Sequence, residues 1–110
     1  MVRDVRRLGG PVMTPEGRIK NQLRDILARL NPEPYYFMPA TGGYGRNGVP
    51  DIVGCYKGRF FGIECKVPGG MPTTLQTREM WLIEMSGGVA FVYNGNASAD
   101  EVLLRIMGEY

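Results

Sequence analysis

Asp51, Glu64 and Lys66 are the residues of this 110-residue chain whose types and spacing bear on chemistry. They stand in Gly48-Val49-Pro50-Asp51 and Gly62-Ile63-Glu64-Cys65-Lys66, at the outer ends of two apolar segments, Ile52 to Tyr56 and Phe60 to Val67. Lys57-Gly58-Arg59 separates those segments, and such a pattern predicts a tight β-hairpin. Strand side chains alternate between faces, so Asp51, Val53 and Cys55 share one face while Phe60, Gly62, Glu64 and Lys66 share one face of the partner strand. If the two sets face the same side, Asp51 comes beside Glu64 and Lys66 at the end far from the turn. Two neighbouring carboxylates repel, and burial drives one toward its neutral form unless a cation fills the gap. A hard divalent ion with oxygen ligands answers that need, and Mg²⁺ in particular keeps waters and contacts phosphate oxygens. A lysine beside it can steer a water and offset charge developing on a phosphate. The chemistry implied is metal-assisted hydrolysis of phosphodiesters.

Several elements must position these groups. Thr14-Pro15 is a helix start, with Thr14 as N-cap and Pro15 at the first helical position. The helix is predicted to end near Leu30, before Asn31-Pro32. Ile19, Leu23, Ile26, Leu27 and Leu30 form its apolar stripe, which Glu16 extends by one turn. Glu16 therefore either caps the helix start through the dipole or reaches the site of Asp51 and Glu64. Of the helix's basic residues, Lys20 and Arg24 are the better candidates for phosphate contact. Tyr35 to Met38 reads as an edge-like strand. The loop Ala40 to Gly48 is rich in glycine and can bring backbone N–H groups and Arg46 close to phosphates. It lacks the Gly-Lys-Ser/Thr ending of a nucleotide-binding P-loop. Tyr44 in that loop either stacks on a base or caps the surface.

After the hairpin, Pro68-Gly69-Gly70-Met71-Pro72 turns the chain into a helix capped by Thr73 or Thr74 and running to about Met85. Gln76 in its first turn either bonds a phosphate, a metal-bound water or Lys66, or is an ordinary exposed helical glutamine. Trp81 lies off the main stripe and suits a sheet edge or a subunit interface. Gly88 to Tyr93 is a fourth strand, and Ser98 caps a last helix from Ala99 to Met107 with Val102, Leu103 and Ile106 facing inward. The expected fold class is α/β, a small mixed four-stranded sheet flanked by helices in the order αβββαβα.

Composition narrows the field without choosing a partner. The chain is 44% apolar and 22% charged, a globular balance of one small domain. Its net charge of +2 is unevenly spread: residues 1–59 carry ten Lys or Arg against five Asp or Glu, and residues 60–110 carry three against six. A basic half beside a carboxylate site suits a polyanion, though solvated surface charge explains it equally. Residues 1–13, with Arg3, Arg6 and Arg7, read as a flexible basic arm that contacts a phosphate backbone or frays in solvent; residues 14–110 read as the domain. With no histidine present, Cys55 and Cys65 cannot build a zinc site, and buried thiols in a reducing cytoplasm fit them. No apolar run approaches the ~20 residues of a membrane span.

Pro50-Asp51 followed by Glu64-Cys65-Lys66 resembles the Pro-Asp and Glu-x-Lys pattern of restriction-endonuclease-like nucleases. With Gly48-Val49 before it, Gly62-Ile63 between, and the Thr74-Leu75-Gln76 helix start after it, the chain resembles the virus-type replication and repair nuclease family, VRR-NUC, over roughly residues 12 to 93. The resemblance implies a restriction-endonuclease-like core with Asp51 and Glu64 binding Mg²⁺ or Mn²⁺. The Cys65 backbone carbonyl would be a further ligand, Lys66 would activate water, Glu16 would assist metal or water, and Gln76 would be the active-site glutamine. Short stand-alone members are similar to Holliday-junction resolvases and act as homodimers. The implied activity is therefore structure-selective DNA cleavage on branched or duplex DNA in the cytoplasm of a bacterial or phage-infected cell, without a nucleotide cofactor or a membrane. The chemistry would leave a 5′-phosphate and a 3′-hydroxyl. Rival readings are a nuclease for duplex or flapped DNA without junction selectivity, a catalytically silent DNA-binding subunit, and mere surface ion pairs of the carboxylates with Lys66 or Arg46.

Overall fold

Helix α1, Pro15–Leu27, begins where Thr14 Oγ1 accepts the Gly17 N–H at 3.0 Å. Its regular hydrogen bonding stops three residues before the expected end. A tighter turn replaces it, with the Arg29 N–H on the Ile26 carbonyl at 3.0 Å and the Leu30 N–H on that of Leu27 at 3.2 Å. A proline disfavours helical geometry at the residue before it, and tightened last turns are a common way to stop. Leu30 stays buried with Ile19, Leu23, Ile26 and Leu27, so the apolar stripe extends past the helix itself.

The structure, a computed structural model, describes residues 13–40 and 45–108. Strands β1 (Tyr35–Phe37), β2 (Ile52–Tyr56), β3 (Arg59–Cys65) and β4 (Val89–Tyr93) form one sheet in the order β1-β2-β3-β4. The first two pairings are antiparallel and β3–β4 is parallel. Helix α2 (Thr74–Met85) joins the parallel strands, and α3 (Ala99–Met107) closes the chain's order as αβββαβα. The hairpin is tighter than expected. Tyr56 pairs with Arg59, leaving a two-residue turn at Lys57 and Gly58, both with positive φ, as the twist of a hairpin requires.

Alternation along β2 and β3 sorts the sheet into two faces. Ile52, Tyr56, Phe61, Ile63 and Cys65 pack with the α1 stripe, Tyr93, and Val102 and Ile106 of α3 into the main core. The opposite face, with Val53 and Gly62 opposed in register, lies under α2. Gly62 is bare for a reason: a Cβ there would sit 2.7 Å from Ile83 Cδ1 and 3.0 Å from Pro50 Cγ. The missing side chain lets α2 and the segment leading to Asp51 close onto the sheet. The two cysteines lie on different faces, as alternation predicts. Only Cys65 is buried; Cys55 is exposed, correcting the expectation of two buried thiols. Its face is uncovered at the hairpin-turn end of the sheet, where Phe60, opposite it, is exposed as well. No helix among the described residues is long and apolar enough to cross a membrane.

Candidate active site

The register that pairs Ile52 with Ile63 sets Asp51 one step further on, opposite Glu64. The hairpin thus brings its two carboxylates together at the end remote from the turn; the register meets the condition that alternation alone left open. Asp51 is fixed there by the backbone: its Oδ2 accepts the Cys65 N–H at 2.9 Å. Glu64 is 2% exposed, and its Oε2 has no hydrogen-bond partner. An unpartnered buried carboxylate oxygen is costly, and a site that retains one calls for a proton or a cation.

Burial is the main force on Glu64, and a hydrogen bond to Asp51 and that neighbour's charge add to it. Together they push its carboxyl up to about 8, so Glu64 holds a proton at neutral pH and shares it with Asp51. The Lys66 charge works in the opposite direction on Glu64, more weakly than burial and Asp51. Burial would also raise Asp51, but hydrogen bonds from Glu64 and the Cys65 N–H, with Lys20 beside it, hold Asp51 below the usual carboxylate range. Two identical functional groups thus sit in opposite protonation states. The Cys65 thiol is pushed up to about 12, by burial first and then by the Asp51 charge, so it packs as a neutral side chain.

Lys20 enters this cluster from α1. Its Nζ lies 3.6 Å from Asp51 Oδ1 and 3.6 Å from Glu16 Oε1, with 29% of the side chain exposed. Burial opposes its charge, but Asp51 and Glu16 outweigh that and hold it above the ordinary lysine value. Lys20, expected as a candidate phosphate contact, is placed by these ion pairs beside the carboxylates. Glu16 is half exposed rather than aligned with the buried stripe, and it connects to Asp51 through the lysine. The Glu16–Lys20 spacing of four residues was readable as a helical ion pair; the contact of Lys20 with a residue 31 positions away was not. Arg24 is exposed one turn further along α1.

Gln76 is occupied differently from either sequence expectation. Its Oε1 accepts the Thr73 N–H at 2.8 Å while its own N–H donates to Thr73 Oγ1 at 3.1 Å, a reciprocal capping box at the start of α2. Only its amide NH₂ remains as a donor toward a ligand. Nearby, Gly48 has φ +81°, and a Cβ there would lie 2.6 Å from the Leu75 carbonyl carbon. That close approach seats the segment before Pro50-Asp51 against the first turn of α2.

Arg46 is not presented as a loose charge. It makes a bidentate pair with Glu79 of α2, Nε to Oε1 at 2.7 Å and Nη2 to Oε2 at 2.8 Å. The hydrogen bond with Arg46 holds the buried Glu79 below its ordinary carboxyl value. The pair borders a groove of about 630 Å³ between α2 and the sheet, lined by Phe37, Val53, Phe60, Leu82 and Ile83 among others. Glu79, the partner that fixes Arg46, went unnoticed in the sequence because it lies 33 residues away. Trp81 is exposed on the outer side of α2. Tyr44, Arg3, Arg6 and Arg7 lie outside the described residues.

Among the described residues, no group of three or more His, Cys, Asp or Glu side chains gathers as a metal-binding cluster. The site instead offers a carboxylate pair, with Glu16 linked to it through Lys20. Comparison with protein-family models, with curated proteins and with solved structures finds no match. The small α/β fold, a mixed four-stranded sheet flanked by helices, is consistent with a restriction-endonuclease-like core.

Proposed function

We propose that the chain is a divalent-metal-dependent deoxyribonuclease of the restriction-endonuclease-like type, in the short form resembled by the VRR-NUC family. The observation that carries this reading is the juxtaposition of Asp51 with a buried Glu64 whose Oε2 lacks a partner. Both residues stand at the strand ends that the Pro-Asp and Glu-x-Lys spacing assigns them. The donor set suits a hard cation, being carboxylate oxygens with the Cys65 carbonyl adjacent.

Asp51 and Glu64 would hold Mg²⁺ or Mn²⁺, with Glu16 assisting through water. Bound there, the ion supplies positive charge at the scissile phosphate and a more acidic water. The remaining work falls to the chain. The Cys65 N–H keeps Asp51 turned into the site, and the hydrogen bond of the Lys66 N–H to the Tyr93 carbonyl at 3.1 Å ties down the end of β3. The Lys66 ammonium aligns the attacking water for in-line displacement, leaving a 5′-phosphate and a 3′-hydroxyl. The Gln76 NH₂ is a donor for a phosphate oxygen, and Arg24 offers charge to the DNA backbone. Arg3, Arg6 and Arg7 of the amino-terminal segment fill the same role, and Tyr44 of the loop is the candidate to stack on a base.

The preferred substrate in this reading is branched DNA, cut symmetrically by a homodimer, because paired cuts across a junction need two sites and one chain of this size carries one. The test is Mg²⁺-dependent cleavage of matched duplex, flap and four-way-junction DNA, together with solution mass. Cleavage of the junction in preference to the other two by a dimer supports the full reading. Equal cutting of all three rejects junction selectivity, and no cutting of any in Mg²⁺ or Mn²⁺ rejects the nuclease itself.

A further inference from the structure

We propose that Lys20 is the site's resident counter-cation, which competes with a divalent ion for Asp51 and thereby sets the metal affinity. The inference rests on the metal-dependent reading above and adds a regulator of that same site.

The two oxygens of Asp51 have different occupations. Oδ2 is committed to the Cys65 backbone N–H, whereas Oδ1 faces the Lys20 ammonium at 3.6 Å. A cation spanning Asp51 and the unpartnered Oε2 of Glu64 needs an oxygen from each residue. Among the described residues Oδ1 makes no backbone hydrogen bond, whereas one lone pair of Oδ2 is already taken by the Cys65 N–H, so Oδ1 is the more open of the two to an ion. Lys20 therefore stands at the position from which a metal ion would draw its first ligand.

The lysine also has somewhere to go. Glu16 Oε1, one helical turn back and half exposed, already lies 3.6 Å from the same Nζ. Leaving Asp51 need not leave the ammonium unpaired, so the exchange requires a side-chain rotation and no movement of α1. Ile19, next to Lys20, and Leu23 anchor that part of the helix in the core. With the metal absent, the ammonium offsets the Asp51 charge; with it present, ammonium and metal repel at close range.

Direct measurement of Mn²⁺ affinity on the full chain, by electron paramagnetic resonance of the free ion at low salt, tests this without any substrate. Lys20→Met keeps the aliphatic stem and removes the charge. It should tighten Mn²⁺ binding on the order of tenfold, the effect of a unit charge about 5 Å from a divalent ion at a dielectric near that of water. Lys20→Gln, a second neutral variant, should tighten it likewise and serves if Lys20→Met does not fold. Lys20→Arg should bind as the unmodified chain does, and Asp51→Asn should lose the site. If Asp51→Asn loses Mn²⁺ but the neutral Lys20 variants bind it no more tightly than the unmodified chain, the counter-ion role is wrong and the metal reading survives. If neither the unmodified chain nor the neutral variants take up Mn²⁺, both are overturned.

Discussion

Two clusters that pair acidic with basic side chains lie on this small domain, and they are built differently. In the Arg46–Glu79 pair every short contact is matched: two guanidinium nitrogens meet two carboxylate oxygens in fork geometry, and the carboxyl is held ionised. At the sheet end, Asp51, Glu64, Glu16 and Lys20 are mismatched. One carboxyl is driven neutral by burial, one of its oxygens has no partner, and one ammonium is divided between two acids at 3.6 Å. A matched pair ties a loop to a helix and is complete. A mismatched cluster keeps binding capacity in reserve, which makes it the candidate site of the two.

That contrast can be broken most sharply by mutation. Asp51→Asn and Lys66→Ala should each lower Mg²⁺-dependent DNA cleavage by at least about 100-fold with the circular-dichroism spectrum unchanged, the scale typical of losing one transition-state contact. Arg46→Met should act in the reverse manner, lowering the melting temperature while cleavage by the folded fraction survives. Loss of cleavage in Arg46→Met at temperatures where it is fully folded would place Arg46 in the chemistry and erase the distinction.

Metal provides the next largest effect. Mn²⁺ in about 100-fold excess over its dissociation constant should stabilise the native chain by about 2.7 kcal/mol, raising the melting temperature by several degrees. Asp51→Asn should show no such rise. An equal rise in both proteins would mean that the ion binds elsewhere.

The pH dependence of stability sharpens the same comparison. Glu64 titrates at about 8 in the folded chain and near the ordinary glutamate value when unfolded. Between those values the native state holds the extra proton, so stability is greatest at the acidic end of that window and falls as pH rises through it. Asp51, held low, acts outside that window: its contribution is present above the ordinary aspartate value and is lost on further acidification. Urea unfolding in the absence of metal should show a loss of about 1–3 kcal/mol from pH 5 to pH 8.5. The slope should flatten in Glu64→Gln and persist in Glu79→Gln. A slope unchanged by Glu64→Gln would show that the shared proton resides elsewhere.

The smallest effect concerns Gln76. Gln76→Ala should cost about 1 kcal/mol through loss of the capping box, while Gln76→Glu, which preserves the reciprocal bond, should recover most of it. Cleavage that falls in Gln76→Glu despite recovered stability would assign the NH₂ group to the substrate.

The hairpin and the helix caps at Thr14 and Ser98 were legible because each depends on neighbours in sequence, whereas the facing of Asp51 and Glu64 followed only once the register of the two strands was fixed. Periodicity, cap chemistry and turn residues act over a few positions. The exposure of Cys55 was not legible, since alternation gives the face of a residue without saying what covers that face. Lys20 and Arg46 had the right charge for phosphate, and the carboxylates that hold them became visible only with the chain folded, because Asp51 and Glu79 lie far along the sequence. Gln76 shows the converse case: Thr73-x-x-Gln76 is a capping-box spacing, a local role that the sequence itself carries.

One cation between two carboxylates is the centre of the proposed chemistry. Anomalous diffraction from crystals of the chain soaked in Mn²⁺ with DNA present locates that ion directly. The expected result is a peak in contact with both Asp51 and Glu64, with Lys20 withdrawn toward Glu16. Full Mn²⁺ soaking with no peak between those carboxylates would contradict it.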